Sequence, residues 1–209
     1  MSSTNDNDTA RRAPGRPKLT ADHPSMRDTV LNAASRLFME LGYEPVSINR
    51  IAEKAGVTKA SVYYYFGSKA ELFATSVAEM FFRIRGRTEA ILAGEGDLKS
   101  RVTMLARRKL ATSHTEFESM MKEAVPFLEE EQLRKIREAE HGVHEALAES
   151  FREGMRTGEL AAGDPMLLSH AFSALLMLGN REALGDRKPT AEELADSIVA
   201  LFWNGAAGR

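Results

Sequence analysis

The tightest constraint on this chain is the step Gly56-Val57, which separates two short segments that each carry one apolar face. Ser47 offers an N-cap, and Ile48, Ile51, Ala52 and Ala55 then recur at helical spacing until Gly56 ends the segment. Thr58 offers the next N-cap and opens a run through Val62 to Phe66, stopped by Gly67. Two short helices joined by a tight glycine turn make a helix-turn-helix. Small Ala55 lets the two helices approach, and Val57 plugs the space between them. The start of the second helix (Thr58, Lys59, Ala60, Ser61) is short or polar, as a surface entering a major groove has to be. Tyr63-Tyr64-Tyr65-Phe66 follows. Three tyrosines on one turn span most of the helix circumference. With Val62 and Phe66 on the core side beside Ile51, at least two hydroxyls must face solvent or a phosphate.

The flanks read as helices throughout. Ser25 caps a segment in which Val30, Ala34, Leu37, Phe38 and Leu41 repeat at helical spacing, and Gly42 supplies its C-terminal stop. Ser68-Lys69-Ala70-Glu71 has the pattern of a reciprocal capping box, opening a longer helix through Leu72, Phe73, Val77, Met80, Phe81 and Ile84. Leu133, Ile136, Val143, Leu147 and Phe151 mark one long helix that stops near Gly158. Asp164-Pro165 starts another that is apolar on most sides, and a last helix carries Leu194, Ile198, Leu201, Phe202 and Trp203. No segment alternates over a strand's length. The fold class is therefore all-α, with about nine helices. Its parts are a flexible basic arm (1–24), a three-helix helix-turn-helix head (25–72) and a helical bundle (73–209).

The net charge of −2 conceals an uneven distribution: the first 70 residues carry +3 and the remainder −5. Arg11, Arg12, Arg16 and Lys18 precede the first helix, and Arg50, Lys54, Lys59 and Lys69 cluster around the two short ones. Local basic patches on a mildly acidic body suit a protein that touches phosphates at one end. The chain has no cysteine, which excludes disulfides and thiolate metal sites. Its first ten residues are polar and acidic, unlike a secretory signal, and no stretch approaches the ~18 uncharged apolar residues of a membrane helix. The expectation is a soluble, cytoplasmic protein without a membrane partner. No glycine-rich phosphate loop, nucleophile elbow or arguable Ser-His-Asp pattern is present, so catalysis has no support and no cofactor is expected.

Arg27 to Phe81 resembles the DNA-binding domain of the TetR (tetracycline-repressor) family of bacterial regulators. The matching pieces are Ala34-x-x-Leu37-Phe38-x-x-x-Gly42-Tyr43, Ser47-Ile48-x-x-Ile51-Ala52-x-x-Ala55-Gly56-Val57, and Val62-Tyr63-x-Tyr65-Phe66-x-Ser68-Lys69-x-x-Leu72. The resemblance implies a phosphate contact for Ser47 and base-edge contacts for Thr58, Lys59 and Ala60. It implies a groove-facing Tyr63, a phosphate-contacting Tyr65 and a phosphate-binding Lys69. Tyr64 falls at a variable position of the pattern but joins the same candidate surface. The resemblance also implies a homodimer on palindromic double-stranded DNA, paired through its last two helices. A small molecule in the C-terminal bundle would shift the spacing of the two heads.

Further residues follow as expectations. Gly15-Arg16-Pro17 resembles an AT-hook, so Arg16 is a candidate for the minor groove. Met104, Phe117, Met121, Phe151, Met155 and Phe172 are candidates to line a pocket for a small apolar or aromatic effector, because methionine and aromatic surfaces adapt to varied ligands. Leu168, Phe172, Leu175, Leu176, Ile198, Leu201 and Phe202 are candidates for the dimer contact, since the last two helices offer more apolar surface than one core needs. The rival readings are an adaptor that does not bind DNA and a helical metal-binding oxidoreductase. The second would be built on Glu138, His141, His144 and Glu145, where Glu138-x-x-His141 has the spacing of a carboxylate-bridged diiron helix without a matching second copy.

Overall fold

The computed structural model describes residues 25–111, 116–178 and 189–206, and every regular element among them is helical. The order is α1 (Met26–Leu41), α2 (Ile48–Ala55), α3 (Lys59–Phe66), α4 (Lys69–Leu92), α5 (Leu98–Ala111) and α6 (Glu116–Ala124). A 3-10 turn (Val125–Phe127), α7 (Glu130–Thr157), α8 (Pro165–Leu178) and α9 (Ala191–Ala206) complete it. No described helix is long and apolar enough to cross a membrane.

The helix boundaries obey the caps read from the sequence. Ser25, Ser47, Thr58 and Ser68 each accept the backbone N–H three residues on, at 3.0–3.2 Å. Each contact satisfies one of the donors a helix start leaves orphaned. Gly56 adopts φ 66°, ψ 33°, and its N–H returns to the Ala52 and Glu53 carbonyls. The turn between α2 and α3 depends on this left-handed residue. The Ser68 box forms only in half. Glu71 does not reach back to the Ser68 N–H, because its carboxylate takes the Lys135 ammonium at 2.7 Å and the Thr75 hydroxyl at 3.1 Å. Those bonds and the attraction of Lys135 hold the Glu71 carboxyl below its usual range, although burial alone would raise it. A long-range ion pair thus displaces a local cap, and it ties the start of α4 to α7. Complete reciprocal boxes form instead at Glu129/Gln132 and Thr190/Glu193.

Two apolar clusters organise the chain. The first joins α1, α2 and α3 to the first part of α4, with Met120 and Ala124 of α6 and Ile136 of α7 completing it. Phe38, Ile51, Val62, Leu72 and Phe73 are at most 2% exposed there. The second joins α5, α7, α8 and α9 around Phe151, Phe172 and Phe202, whose rings meet pairwise at 5.1–6.3 Å. Helix α4 belongs to both, through Leu72, Phe73 and Val77 at one end and Leu92 at the other. Gly154 on α7 lies where α5 begins: a Cβ there would stand 2.4 Å from Leu98 Cδ2 and 3.2 Å from Leu160 Cδ1.

A polar seam separates α7 from α8. Ser169 is fully buried and its hydroxyl donates to the His144 carbonyl at 2.9 Å, while the His144 and His170 rings lie 4.2 Å apart. Burial pushes the His144 imidazole down to about 4, and the nearby His170, Lys109 and His141 push the same way.

Two outcomes follow from this packing. Gly154→Val forces atoms into the buried Leu98–Leu160 contact. It should cost about 2 kcal/mol and lower Tm by roughly 4–8 °C in a chain of this size. An unchanged Tm would show that α5 and α7 do not approach this closely. The second outcome concerns pH. Because the folded value of His144 lies below the ordinary 6.5, only the unfolded chain takes up its proton as pH falls from 6.5 towards 4. The stability it contributes is present above that window and lost within it. His144→Asn should make the decline of Tm across pH 6.5 to 4 shallower than the parent's, and parallel curves would contradict the burial.

Candidate nucleic-acid interface

Helix α3 is arranged in four columns, because residues four apart stand one above the other. Val62 and Phe66 form the buried column, 1% and 5% exposed against α1 and α2. The other three columns are Lys59 with Tyr63, Ala60 with Tyr64, and Ser61 with Tyr65. They face outwards, with Tyr63 44% exposed, Tyr64 84% and Tyr65 37%. Helix geometry requires at least two outward tyrosines, and all three are outward. The buried pair fixes the helix's rotation, so the rotation presents all three rings and the Lys59 ammonium to solvent.

The exposed groups are ordered by one another. The Lys59 ammonium lies 5.8 Å from the centre of the Tyr63 ring. Tyr64 and Tyr65 meet edge to face at 5.1 Å. The Thr58 and Ser61 hydroxyls are 2.9 Å apart, above the cap that opens α3. Ser47 stands exposed at the start of α2, with its Oγ accepting from the Arg50 N–H at 3.2 Å. Accepting that bond leaves its hydroxyl proton able to donate outwards. Lys69, at the start of α4, donates to the Glu44 carbonyl at 3.2 Å and lies 4.3 Å from the Tyr43 ring centre. Burial lowers the Lys69 pKa and the Glu44 carboxylate opposes that shift. Thr58, Lys59, Ala60 and the tyrosines therefore form one continuous surface on α3. Ser47 and Lys69 contribute from the starts of the adjoining helices α2 and α4. Arg16 lies outside the described residues.

The structure adds Tyr43 to the residues singled out from sequence. It is 5% exposed, yet it holds the Lys69 ammonium. Its position after Gly42 was the available signal, but nothing in the local pattern announces a contact made 26 residues away.

The structure does not bring the six pocket candidates together. Phe117 and Met121 pack on the first cluster, Phe151, Met155 and Phe172 belong to the second, and Met104 is 51% exposed. A cavity of about 60 Å³ lies between α1, α4 and α6, lined by Ser35, Phe38, Met39, Ser76, Val77, Met80, Arg83 and Met120. A groove of about 260 Å³ lies along α5 and α7, lined by Arg101, Glu149, Ser150 and Glu153. None of the six lines either one.

The seven dimer candidates also divide. Phe172, Leu176, Ile198 and Phe202 are at most 8% exposed within the single chain, where they build the second cluster. Their burial within one chain overturns the expectation of an interface role, because periodicity marks an apolar side chain without saying which apolar surface covers it. Leu168 and Leu175 are half-buried, whereas Leu201, together with Leu167, is 65% exposed. The outward apolar surface of α8 and α9 is therefore smaller than the sequence suggests.

The metal reading needs Glu138, His141, His144 and Glu145 to converge. Glu138 instead pairs with Arg134 at 2.7 Å, His141 lies 3.7 Å from Glu145 on the exposed side, and His144 turns to α8. Among the described residues no three metal-ligating side chains come together.

Comparison with known proteins bears on the same segment. Residues 30–75 match the model of the family "Bacterial regulatory proteins, tetR family". The chain is 34% identical over 82 residues to YdgC, an uncharacterized HTH-type transcriptional regulator of Bacillus subtilis. That match covers 37% of this chain and 42% of YdgC, so it spans less than half of the relative's length. Among solved structures, Escherichia coli NemR in its reduced form superposes with a TM-score of 0.73 at 22% identity, over 88% of this chain and 98% of that one. Bacillus subtilis FadR in complex with stearoyl-CoA superposes with a TM-score of 0.70 at 21% identity, over 85% and 98%. At these identities the superpositions establish the fold, and the match over 30–75 establishes the head. Residues 30–75 thus carry the helix-turn-helix head of the TetR family of bacterial regulatory proteins, and the helices behind it share the fold of these solved structures.

Proposed function

We propose that this chain is a sequence-specific DNA-binding transcriptional regulator acting as a homodimer. In the proposed mode, α3 of each protomer enters a major groove, Lys59 and Tyr63 reach base edges and backbone there, and Thr58 and Ala60 allow close approach. Ser47, Tyr65 and Lys69 take phosphates, and Tyr64 lies at the rim. The observation that carries this reading is the exposed α3 surface held rigid on a fully packed face: three outward tyrosines and a lysine above Val62 and Phe66. Exposed rings alone would equally suit a protein partner; the Lys59 ammonium beside Tyr63, with the Ser47 hydroxyl and the Lys69 ammonium at the adjoining helix starts, is what favours phosphate-bearing DNA. Two such helices on a two-fold axis would read palindromic half-sites about one helical turn apart, ~10 base pairs.

The proposed outcome is repression, since a dimer seated on promoter DNA excludes polymerase, with release by a small molecule. Support for an effector comes from FadR, a protein of the same fold found with stearoyl-CoA. Pockets for drug-sized ligands measure about 300–1,000 Å³, and the apolar cavity between α1, α4 and α6 holds about 60 Å³. The groove along α5 and α7, at about 260 Å³, also falls short of that range, so the effector is proposed to favour a more open packing of the bundle. It shifts the heads only if it binds that state more tightly than the DNA-fitting state. The dimer contact is proposed on the outward face of α8 and α9, around Leu201, Leu168 and Leu175. No catalytic role is proposed.

Three measurements test the reading. Purified protein is incubated with random duplexes at moderate and raised salt, and the retained DNA is sequenced. An enriched palindrome is expected, whereas binding that vanishes with salt and yields no motif would leave only a nonspecific phosphate contribution. Lys59→Ala combined with Tyr63→Ala should abolish specific binding and leave Tm nearly unchanged, because both side chains are exposed; retained affinity would displace the interface. Leu201→Asp should shift sedimentation to the monomer and weaken DNA binding with it, and a stable dimer would place the contact elsewhere.

A further inference from the structure

The second half of the molecule touches the phosphate-side lysine through one ring. Tyr43 stacks with Phe38 at 6.0 Å, meets Phe73 edge-on at 5.0 Å and stacks with Phe127 at 5.5 Å. The Lys69 ammonium lies 4.3 Å from the same ring centre. Phe38 and Phe73 belong to α1 and α4, but Phe127 comes from the 3-10 turn that joins α6 to α7. The loop carrying Tyr43 is pressed against α6 at its preceding residue. Gly42 has φ 82°, and a Cβ there would stand 2.8 Å from the Glu123 carboxylate. Phe127 is 53% exposed, so the ring contributes little to the core. Its one aromatic contact among the described residues is Tyr43.

We propose that Tyr43 and Phe127 are positioning residues for Lys69: Phe127 braces the Tyr43 ring, and the ring fixes the ammonium where it meets a DNA phosphate. The inference rests on the DNA-binding reading above. An ammonium has three donors. One goes to the Glu44 carbonyl at 3.2 Å, the ring quadrupole holds the charge, and the remaining donors are oriented before DNA arrives. Ordering the long stem in advance removes part of the entropy cost of the phosphate contact. Tilting the Tyr43 ring lets the ammonium wander, and Phe127 is the group outside α1 and α4 that opposes the tilt. A displacement of the α6–α7 connection therefore reaches Lys69 without any change in α3.

A double-mutant cycle on the full chain tests this, with affinity for a mixed-sequence duplex measured across a salt series. Lys69→Met should weaken binding and reduce the salt slope by about one per protomer. Phe127→Ala should weaken binding roughly 2- to 5-fold, the scale of one exposed cation–π contact, with Tm close to the parent's. In the Lys69→Met background, Phe127→Ala should cost nothing further. Tyr43→Phe, which keeps the ring, should bind as the parent does. If Phe127→Ala binds as the parent, or loses the same factor with and without Lys69, the proposed positioning is wrong. If Lys69→Met changes neither affinity nor slope while Lys59→Ala with Tyr63→Ala abolishes binding, Lys69 meets no phosphate. The inference then falls and the groove assignment of α3 stands.

Discussion

The packing of Phe73 against Phe38 and Tyr43 sets most of what this molecule presents. Phe73 is fully buried one turn into α4, the 24-residue helix that begins in the head's cluster and ends in the bundle's. Because α4 is continuous, the head cannot rotate without moving the helix that the bundle grips. Lys135 adds a second attachment at the same end, through Glu71 and Thr75. The exposed surface of α3 is therefore referenced to α7 as well as to α1 and α2. In the proposed dimer, that reference would carry a movement of the bundle to the spacing of the two heads.

The economy of the head explains why its sequence is so readable. Helices of eight residues cannot persist alone in water, so each must be defined by its ends and by one buried face. Ser47, Gly56, Thr58 and Gly67 supply the ends, and Ile48, Ile51, Ala52, Val62 and Phe66 supply the faces. With the core column of α3 fixed, the remaining positions have to point outwards. The surface proposed to face DNA follows from what the core excludes as much as from what a groove requires.

The bundle was less legible, for a physical reason. Periodicity identified α7, α8 and α9, and the caps at Gly158 and Asp164-Pro165 placed their ends. It could not say which apolar residues face their own chain. Phe172, Leu176, Ile198 and Phe202 belong to the internal cluster, while Leu167 and Leu201, on the same two helices, face out. Likewise Phe117 and Phe151 share a residue type but lie in different clusters. Contacts between distant segments were equally hidden. Glu71 was expected in a local cap and instead pairs with Lys135, and the approach of Phe127 to Tyr43 has no local signature. Short helices with obligatory caps reveal themselves residue by residue; long amphipathic helices reveal a face but not its occupant.

One face, formed by α3 and the starts of α2 and α4, is proposed to meet DNA. The most direct measurement is a titration of isotope-labelled protein with duplex DNA, followed by the backbone amide resonances. Perturbations should concentrate at Ser47, Thr58 to Tyr65 and Lys69, and the outward residues of α8 and α9 should stay unmoved. Perturbations confined to the bundle, or absent at Lys59 and Tyr63 under conditions where the duplex is bound, would contradict that placement.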